Sequence, residues 1–182
     1  MQEDPAQNRA VEDSCPHCGP LYYRPPFYAV QMDIAYGFST VPCKKARNKV
    51  PQYALVIVCI LSSATSILSL EGLECQDVVA ALERHSAHHG VPAVLYVDNG
   101  PQLVYLEGIK FTPQDLENYL RQKLDIKVVV SCPKAHEERG RVERRIRLIR
   151  LMLERTGEGT PSPQSPLMWE TTFARIAIQC TE

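Results

Sequence analysis

The spacing of apolar residues predicts a sheet in the first half of the chain. Apolar and polar residues alternate along residues 27–36, with Asp33 on the more polar face, and this period of two is typical of a strand. The β-branched apolar run at residues 53–61 predicts a second strand, and Ser62-Ser63-Ala64 allows a turn into a third run at residues 65–70. We interpret these two runs as paired central strands of the sheet.

The stretch that follows predicts a helix and then a strand that ends at an acidic residue. Apolar residues recur at helical spacing within residues 76–89, and Gly90 stands where the helix ends. Residues 93–97 form a short apolar run that is followed directly by Asp98. The Asn-Gly pair after Asp98 is also a hairpin signal, but Pro101 cannot donate to a strand ladder. We therefore favour a strand end that presents Asp98 at the mouth of the sheet.

The second half of the chain predicts two more helices and one strand. Residues 112–124 open with Thr-Pro-Gln-Asp, which supplies an N-cap, a proline at the first helical position and an acid in the first turn. Residues 127–132 predict a strand, and a loop follows at residues 133–140. Apolar residues then recur at i, i+4, i+7 and i+11 within residues 141–155, the stripe by which a helix packs on a sheet.

These elements predict one α/β domain flanked by shorter segments. Residues 1–26 are polar and Pro-rich and indicate the tail of a small module plus a linker. Residues 27–156 form the domain, and residues 157–166 have the composition of a linker. Residues 167–182 begin an amphipathic helix that we expect the chain end to cut short.

Composition and charge narrow the possible partners. The chain has 182 residues, 45% of them apolar, which is enough for one domain with a core. Its 20 Lys and Arg against 21 Asp and Glu exclude a globally basic nucleic-acid-binding domain. The positive charge is local, because residues 139–155 contain seven Arg and two Glu. Any role with DNA therefore depends on where these arginines lie.

Cysteine usage and the lack of an apolar leader predict an intracellular protein. Seven cysteines is an odd number, and four lie in or beside apolar stretches where a free thiol packs as a small hydrophobe. These are Cys43, Cys59, Cys75 and Cys132. Residues 1–13 are acidic, unlike a secretion signal, and residues 54–70 contain five Ser and Thr and are too short for a membrane span.

Three acidic residues are candidates for a metal site. The predicted scaffold can bring together Asp33, Asp98 and Glu143, whose carboxylates are the hard oxygen ligands that suit Mg²⁺ or Mn²⁺. Such a trio makes a two-metal site for phosphoryl transfer. Helical spacing places Arg147 and Arg150 on the same side as Glu143, where they can bind phosphates. The alternative is that all of these side chains are solvated and that Glu143 and Arg147 form an ordinary i, i+4 pair.

The chain resembles the integrase catalytic core of retroviruses and long-terminal-repeat retrotransposons, most closely the BEL/Pao group. The resemblance covers residues 27–180 and rests on the order of several pieces. They are a strand with Asp33, the run YALVIVCILSSATSILSL, RHSAHHGVPAVLYVDNGPQLV, and AHEERGRVERRIRLIRLMLERTG. MWETTFARIAIQ is similar to the helix that follows the core in that group.

The resemblance implies a fold, two reactions and a set of partners. The fold is ribonuclease-H-like, with a mixed five-stranded sheet flanked by helices. Asp33, Asp98 and Glu143 hold two Mg²⁺ or Mn²⁺ ions, water cleaves element DNA near its 3′ end, and the freed 3′ hydroxyl attacks target DNA. The expected protein is a homo-oligomer without membrane contact, located in the nucleus or a cytoplasmic particle. The residues expected to bind DNA are Lys134, His136, Arg139, Arg141, Arg144, Arg147 and Arg150.

The chain also departs from the family pattern. The 44 residues between Asp98 and Glu143 exceed the spacing of the best-known retroviral members, and a helix can fill the extra length. Cys15 and Cys18 are similar to half of the family's zinc module, but no pair of histidines precedes them. Four ligands are needed for a closed Zn²⁺ site, so zinc is expected only if the missing ligands were present. We expect an incomplete integrase without a C-terminal DNA-binding domain.

Other interpretations remain open at this point. The chain could be a decayed or co-opted core that binds nucleic acid or protein without catalysis, or a ribonuclease-H-like nuclease or transposase of another type. His85, His88 and His89 have the spacing of metal ligands on a helix, yet no acid or Cys obviously joins them. We expect these histidines to lie at the surface or to face DNA.

Overall fold

The computed structural model describes residues 14–15, 19–20, 24–40, 50–98, 112–131, 136–157 and 165–181. The strands are β1 (Ser14–Cys15), β2 (Gly19–Pro20), β3 (Ala29–Thr40), β4 (Val50–Cys59), β5 (Thr65–Leu70), β6 (Val94–Asp98) and β7 (Lys127–Ser131). The helices are α1 (Cys75–His89), α2 (Pro113–Leu124), α3 (His136–Gly157) and α4 (Pro166–Thr181).

A mixed sheet of five strands organises the domain, as the sequence predicts. Its strand order is β5-β4-β3-β6-β7, with β3, β4 and β5 antiparallel and β6 and β7 parallel to β3. Helix α1 precedes β6 and helix α2 precedes β7, because a parallel strand needs a crossover connection from the strand before it. Asp98 is the last residue of β6, which confirms the predicted strand end.

One prediction about the sheet is wrong. The pairing of β4 with β5 is confirmed, but β5 lies at the edge of the described sheet and not at its centre. Helices α1 and α4 both contact β5. Ile67 packs with the residues of α4, whereas Leu70 packs with those of α1. Since both faces are covered, apolar residues point to both sides of this edge strand, as they do in a central strand.

Two hydrophobic clusters lie on opposite faces of the sheet. Met32 and Ile34 of β3 face the first cluster, to which α1 and α2 contribute, and Ala35 faces the second, to which α3 and α4 contribute. Because side chains of a strand alternate between faces, Asp33 lies on the same face as Ala35. The period of two in the sequence therefore directs Asp33 toward α3.

Helix α3 is longer than predicted. It begins at His136, so residues 136–140 are helical and the predicted loop at residues 133–140 is wrong there. Gly140 keeps a helical backbone, whereas Gly90 at the end of α1 has φ 86° and does end a helix. Two glutamates in the first turn of α3 favour the helix start, since the N-terminal end of a helix dipole is positive.

Helix α2 begins as the sequence predicts. The Thr112 hydroxyl accepts a hydrogen bond from Asp115 N at 3.2 Å, and the Asp115 carboxylate accepts one from Thr112 N at 2.8 Å. This reciprocal capping box satisfies two backbone donors that have no partner within the helix. The hydrogen bonds from Thr112, its side chain first, lower the pKa of Asp115.

Helix α4 packs into the core of the domain. Its apolar stripe joins the second cluster, and Phe173 is fully buried. Trp169 stacks beside Phe173, with ring centroids 5.1 Å apart. No helix in the described part of the chain is long and apolar enough to cross a membrane, and residues 54–70 form strands β4 and β5 with their turn.

One predicted free cysteine is confirmed as a core residue. Cys59 is buried and unbridged, and its Sγ accepts a hydrogen bond from Phe27 N at 3.2 Å. Cys75 is also free but only half-buried. Cys43 and Cys132 lie outside the described residues.

The surface role expected for His85 is wrong. Its side chain is fully buried, and its ring lies 4.9 Å from that of Phe27. Neither ring nitrogen has a hydrogen-bond partner among the described residues. Burial, followed by the charges of His89 and His88, lowers the pKa of His85 to about 4. His88 and His89 are exposed, as expected.

We expect the buried His85 to make the fold acid-sensitive. Its pKa is about 4 when folded and about 6.5 when unfolded, so the folded state favours the neutral ring. The resulting stability is fully present above pH 6.5 and is lost as the pH falls toward 4. The free energy of unfolding should fall by about 2 kcal/mol from this group between about pH 7 and pH 5. Urea unfolding at both pH values measures it.

The matched variants for this experiment are His85→Leu and His88→Gln. The leucine variant should lose most of the pH dependence, because it removes the buried titrating group. The glutamine variant should keep it, because His88 is exposed. An equal pH dependence in wild type and His85→Leu would contradict the assignment.

Candidate active site

Strand β3 carries the first acidic residue of the predicted trio. Asp33 is half-buried and lies opposite Val56 of β4. Its Oδ1 accepts a hydrogen bond from Ile34 N at 2.7 Å. The carboxylate therefore lies at the side of the sheet that α3 covers, and it is open enough to reach a ligand.

Strand β6 places the second acidic residue next to the first. Met32 of β3 pairs with Val97 of β6 in parallel register, and the residues that follow them are Asp33 and Asp98. Neighbouring strands lie about 4.8 Å apart, so the two acidic positions are side by side on the inner strands β3 and β6, where β6 ends. The backbone of Asp98 pairs in register with Ser131 of β7. The structure does not describe the Asp98 side chain.

Helix α3 supplies the third acidic residue. The predicted apolar stripe is confirmed at Val142, Ile146 and Ile149, which are buried against the sheet. Glu143 follows the first of these and is exposed. Since the stripe sets the rotation of the helix on the sheet, Glu143 is held at the flank that faces β3.

An open cavity of about 300 Å³ brings two of the three acids together. Asp33 and Glu143 both line it, as do Arg147 and Arg150. The guanidinium of Arg150 lies 5.4 Å from the ring of Tyr36 and donates to Tyr36 O at 3.3 Å. We call this cavity the acidic pocket. Its remaining lining residues are Ile34, Tyr36 and Ile146.

The donor set of the acidic pocket fits a divalent cation beside a phosphate. Two carboxylates, from a strand and from an exposed helix position, offer the hard oxygen ligands that Mg²⁺ prefers. The two arginines offer forked donors to an anion. Among the described side chains, which do not include that of Asp98, no three acids, histidines or cysteines form a ligand group.

The structure divides the predicted DNA-binding residues into separate groups. Arg147 and Arg150 lie with the acids, whereas Arg141 and Arg144 line a second cavity on the opposite flank of α3. Arg145 also lines that cavity, although it is not among the residues predicted to bind DNA. The signal was present, because Arg145 lies one helical turn after Arg141.

Several predicted site residues lie outside the description. Lys134 and Cys18 are among the residues that the structure does not describe, as are the side chains of His136 and Arg139 at the start of α3. The backbone of Cys15 lies opposite Gly19 in the short antiparallel pair of β1 and β2. The zinc half-site at Cys15 and Cys18 stays a prediction.

Comparison with known proteins gives structural neighbours but no sequence relatives. No protein-family model matches the sequence, and no curated protein matches it. A chain of the simian T-cell lymphotropic virus intasome, solved in complex with the PP2A regulatory subunit B56 gamma, has a TM-score of 0.59 at 18% identity. The alignment covers 97% of this chain and 60% of that one.

Two integrase catalytic core domains align over most of their own length. The HTLV-2 core in complex with magnesium, in its dimeric form, has a TM-score of 0.55 at 17% identity and covers 84% of this chain and 85% of its own. The BIV core has a TM-score of 0.53 at 18% identity and covers 84% and 82%. The fold of this chain is therefore the ribonuclease-H-like fold of retroviral integrase catalytic cores.

Proposed function

We propose that this chain is an integrase-type catalytic core that cleaves and joins DNA strands. One observation carries the proposal: Asp33 and Glu143, which are 110 positions apart in the sequence, line a single pocket with two arginines. The adjacent register position of Asp98 and the similarity to integrase cores support it. The enzyme class is a metal-dependent polynucleotidyl transferase.

The proposed cofactor is a pair of Mg²⁺ or Mn²⁺ ions. Asp33, Asp98 and Glu143 would hold them. When bound there, such ions would supply activation of the attacking oxygen and charge stabilisation of the leaving oxygen. The magnesium bound to the HTLV-2 core, which has this fold, supports the choice of metal.

The protein's own contribution to the reaction is positioning. Arg147 and Arg150 bind the non-bridging oxygens of the reacting phosphodiester, and the Tyr36 contacts hold Arg150 in place. The half-buried site of Asp33 excludes part of the solvent and strengthens these electrostatic contacts. In the cleavage step water attacks the phosphorus, and the 3′ oxygen of the strand leaves as a free hydroxyl. In the joining step this 3′ hydroxyl attacks the phosphorus of a target phosphodiester, whose own 3′ oxygen leaves as the new P–O bond forms.

The finer assignments are part of the same proposal. The partners are element ends and target DNA, the assembly is a homo-oligomer, and the site of action is the nucleus or a cytoplasmic particle. The sequence pieces favour a retrotransposon of the BEL/Pao group. DNA contacts from Lys134, His136, Arg139, Arg141 and Arg144 complete the predicted DNA-binding set.

We expect Mn²⁺ to stabilise the folded chain through the acidic pocket. A ligand at about 100 times its Kd adds about 2.7 kcal/mol to the free energy of unfolding, which raises the Tm of a chain of this size by about 5–10 °C. Asp33→Asn should reduce this gain, because it removes one charged ligand. Asp125→Asn, at the exposed end of α2, is the matched control and should keep the full gain. An equal gain in wild type and Asp33→Asn would place the metal elsewhere.

A strand-transfer assay tests the function itself. The purified chain is incubated with Mn²⁺ and short labelled duplexes, and the products are sized. Joined products longer than the substrate support an integrase. Cleavage without joining would instead indicate a nuclease of the same fold. DNA binding with neither product would indicate a non-catalytic module.

A further inference from the structure

A second cavity lies on the flank of α3 opposite the acidic pocket. Its volume is about 400 Å³, and we call it the arginine pocket. No acidic residue is among the described residues that line it. Three arginines face it together with residues of β4, of the β4–β5 turn and of α3. The lining residues are Val58, Ser63, Arg141, Arg144, Arg145 and Leu148.

Backbone carbonyls around the β4–β5 turn hold two of the guanidiniums in place. Arg141 Nη1 donates to Ile60 O, and Arg145 Nη2 donates to Ser63 O at 3.3 Å. Arg144 Nε donates to Gly140 O at 2.7 Å within the helix. An arginine has five N–H donors, so each side chain keeps several for a ligand.

The grouping of these charges favours an anion. Arg141 and Arg145 are one helical turn apart, and Arg144 precedes Arg145, so three like charges share one flank of α3. Like charges at this spacing repel one another and destabilise a helix. A bound phosphate removes that repulsion and accepts forked hydrogen bonds from the guanidiniums.

The outer face of α3 connects the arginine pocket to the acidic pocket. Arg144 of the first and Arg147 of the second are three residues apart, and both are exposed. Helical neighbours at this spacing lie about 5–6 Å apart at their Cβ atoms. Positively charged residues therefore continue over the exposed face of the helix from one pocket to the other, and this arrangement matches an extended polyanion better than a single small anion.

We propose that the arginine pocket binds a backbone phosphate of DNA, at a distance from the phosphate that reacts in the acidic pocket. The inference deepens the proposed function and rests on it for the identity of the strand. The pocket positions the DNA and makes no bond to the reacting atoms. It adds Arg145 to the DNA-binding residues Arg141 and Arg144, and it assigns all three to one phosphate site that does not depend on the metal.

The test measures binding without catalysis. Anisotropy of a short fluorescent duplex is recorded in EDTA, at salt between about 50 and 200 mM, for wild type, Arg144→Gln and Arg121→Gln. Arg144→Gln should weaken binding by about 5–10-fold at low salt and reduce the slope of log K against log salt by about one. Arg121 is exposed on α2, across the sheet, so its variant loses the same charge without touching the pocket.

The outcomes separate the possible causes. Equal losses in Arg144→Gln and Arg121→Gln would overturn the proposal, because the effect would then be net charge alone. Arg144 is exposed and bonds only to Gly140 O among the described groups, so its variant should fold, and circular dichroism checks this. Arg144→Lys should recover part of the binding if charge at this position contacts phosphate.

Two further arms identify the ligand and isolate the proposal from the catalytic one. Inorganic phosphate alone could raise the Tm of wild type but not of Arg144→Gln, while both proteins bind DNA with equal affinity. That result would assign the pocket to a small anion and overturn the DNA assignment. Wild type could show neither cleavage nor joining while Arg144→Gln still weakens DNA binding. That combination would refute the catalytic proposal and support the arginine pocket.

Discussion

Glu143→Gln should lower the rate of metal-dependent DNA cleavage at least about 100-fold while leaving the fold intact. The substitution removes one charged ligand from the acidic pocket, and a catalytic metal contributes several kcal/mol to the transition state. Each 1.36 kcal/mol is a factor of about ten in rate. Glu143 is exposed, so the isosteric glutamine should cost little stability. Single-turnover cleavage of a labelled duplex in Mn²⁺ measures the change.

Glu154→Gln is the matched control for this prediction. Glu154 is an exposed glutamate on the same helix, and it does not line the acidic pocket. Its substitution should leave the rate within a factor of about two. Asp98→Asn should repeat the loss seen with Glu143→Gln, because both residues belong to the proposed ligand set. Unchanged rates in both ligand variants would reject the metal assignment.

Phe173→Ala should destabilise the domain by about 3–5 kcal/mol. The ring is fully buried on α4 among Trp169, Ile176 and the apolar residues of β4 and β5. Its removal leaves a cavity that the sheet cannot close, because strands β4 and β5 are held by their ladder. The Tm should fall by about 10 °C, as measured by thermal unfolding.

Ile178→Ala provides the comparison on the same helix. Ile178 is 66% exposed, so its truncation should change the free energy of unfolding by less than about 0.5 kcal/mol. A small effect of Phe173→Ala would mean that α4 is only loosely attached to the sheet. The predicted linker before residues 167–182 would then separate two independent parts.

Much of the candidate site could be predicted because each of its residues lies in a strong local pattern. The alternation around Asp33 sets the face of β3, and the stripe at Val142, Ile146 and Ile149 sets the rotation of α3. Both patterns arise from the burial of apolar side chains, which dominates local structure. The predicted trio stays a prediction at Asp98, where the structure describes the backbone alone.

The errors arise where distant elements decide the environment. The residues around His85 in the sequence are typical of the surface. Phe27, which lies just before β3 and far from His85 in the sequence, packs against the ring and helps to bury it. The edge position of β5 was hidden because α1 and α4 bury both of its faces. Gly140 is typical of a loop in the sequence, but it lies inside α3, because the flanking residues are helical.

The sequence by itself determined the elements and the face that each one buries, because periodicities of 2 and 3.6 follow from backbone geometry. It also concentrated the positive charge on one helix. Only the tertiary structure decided the order of the strands, which sets Asp33 beside the Asp98 position and opposite Glu143. It likewise divided the arginines of α3 between two pockets, because the sheet covers the apolar stripe and leaves two separate flanks open.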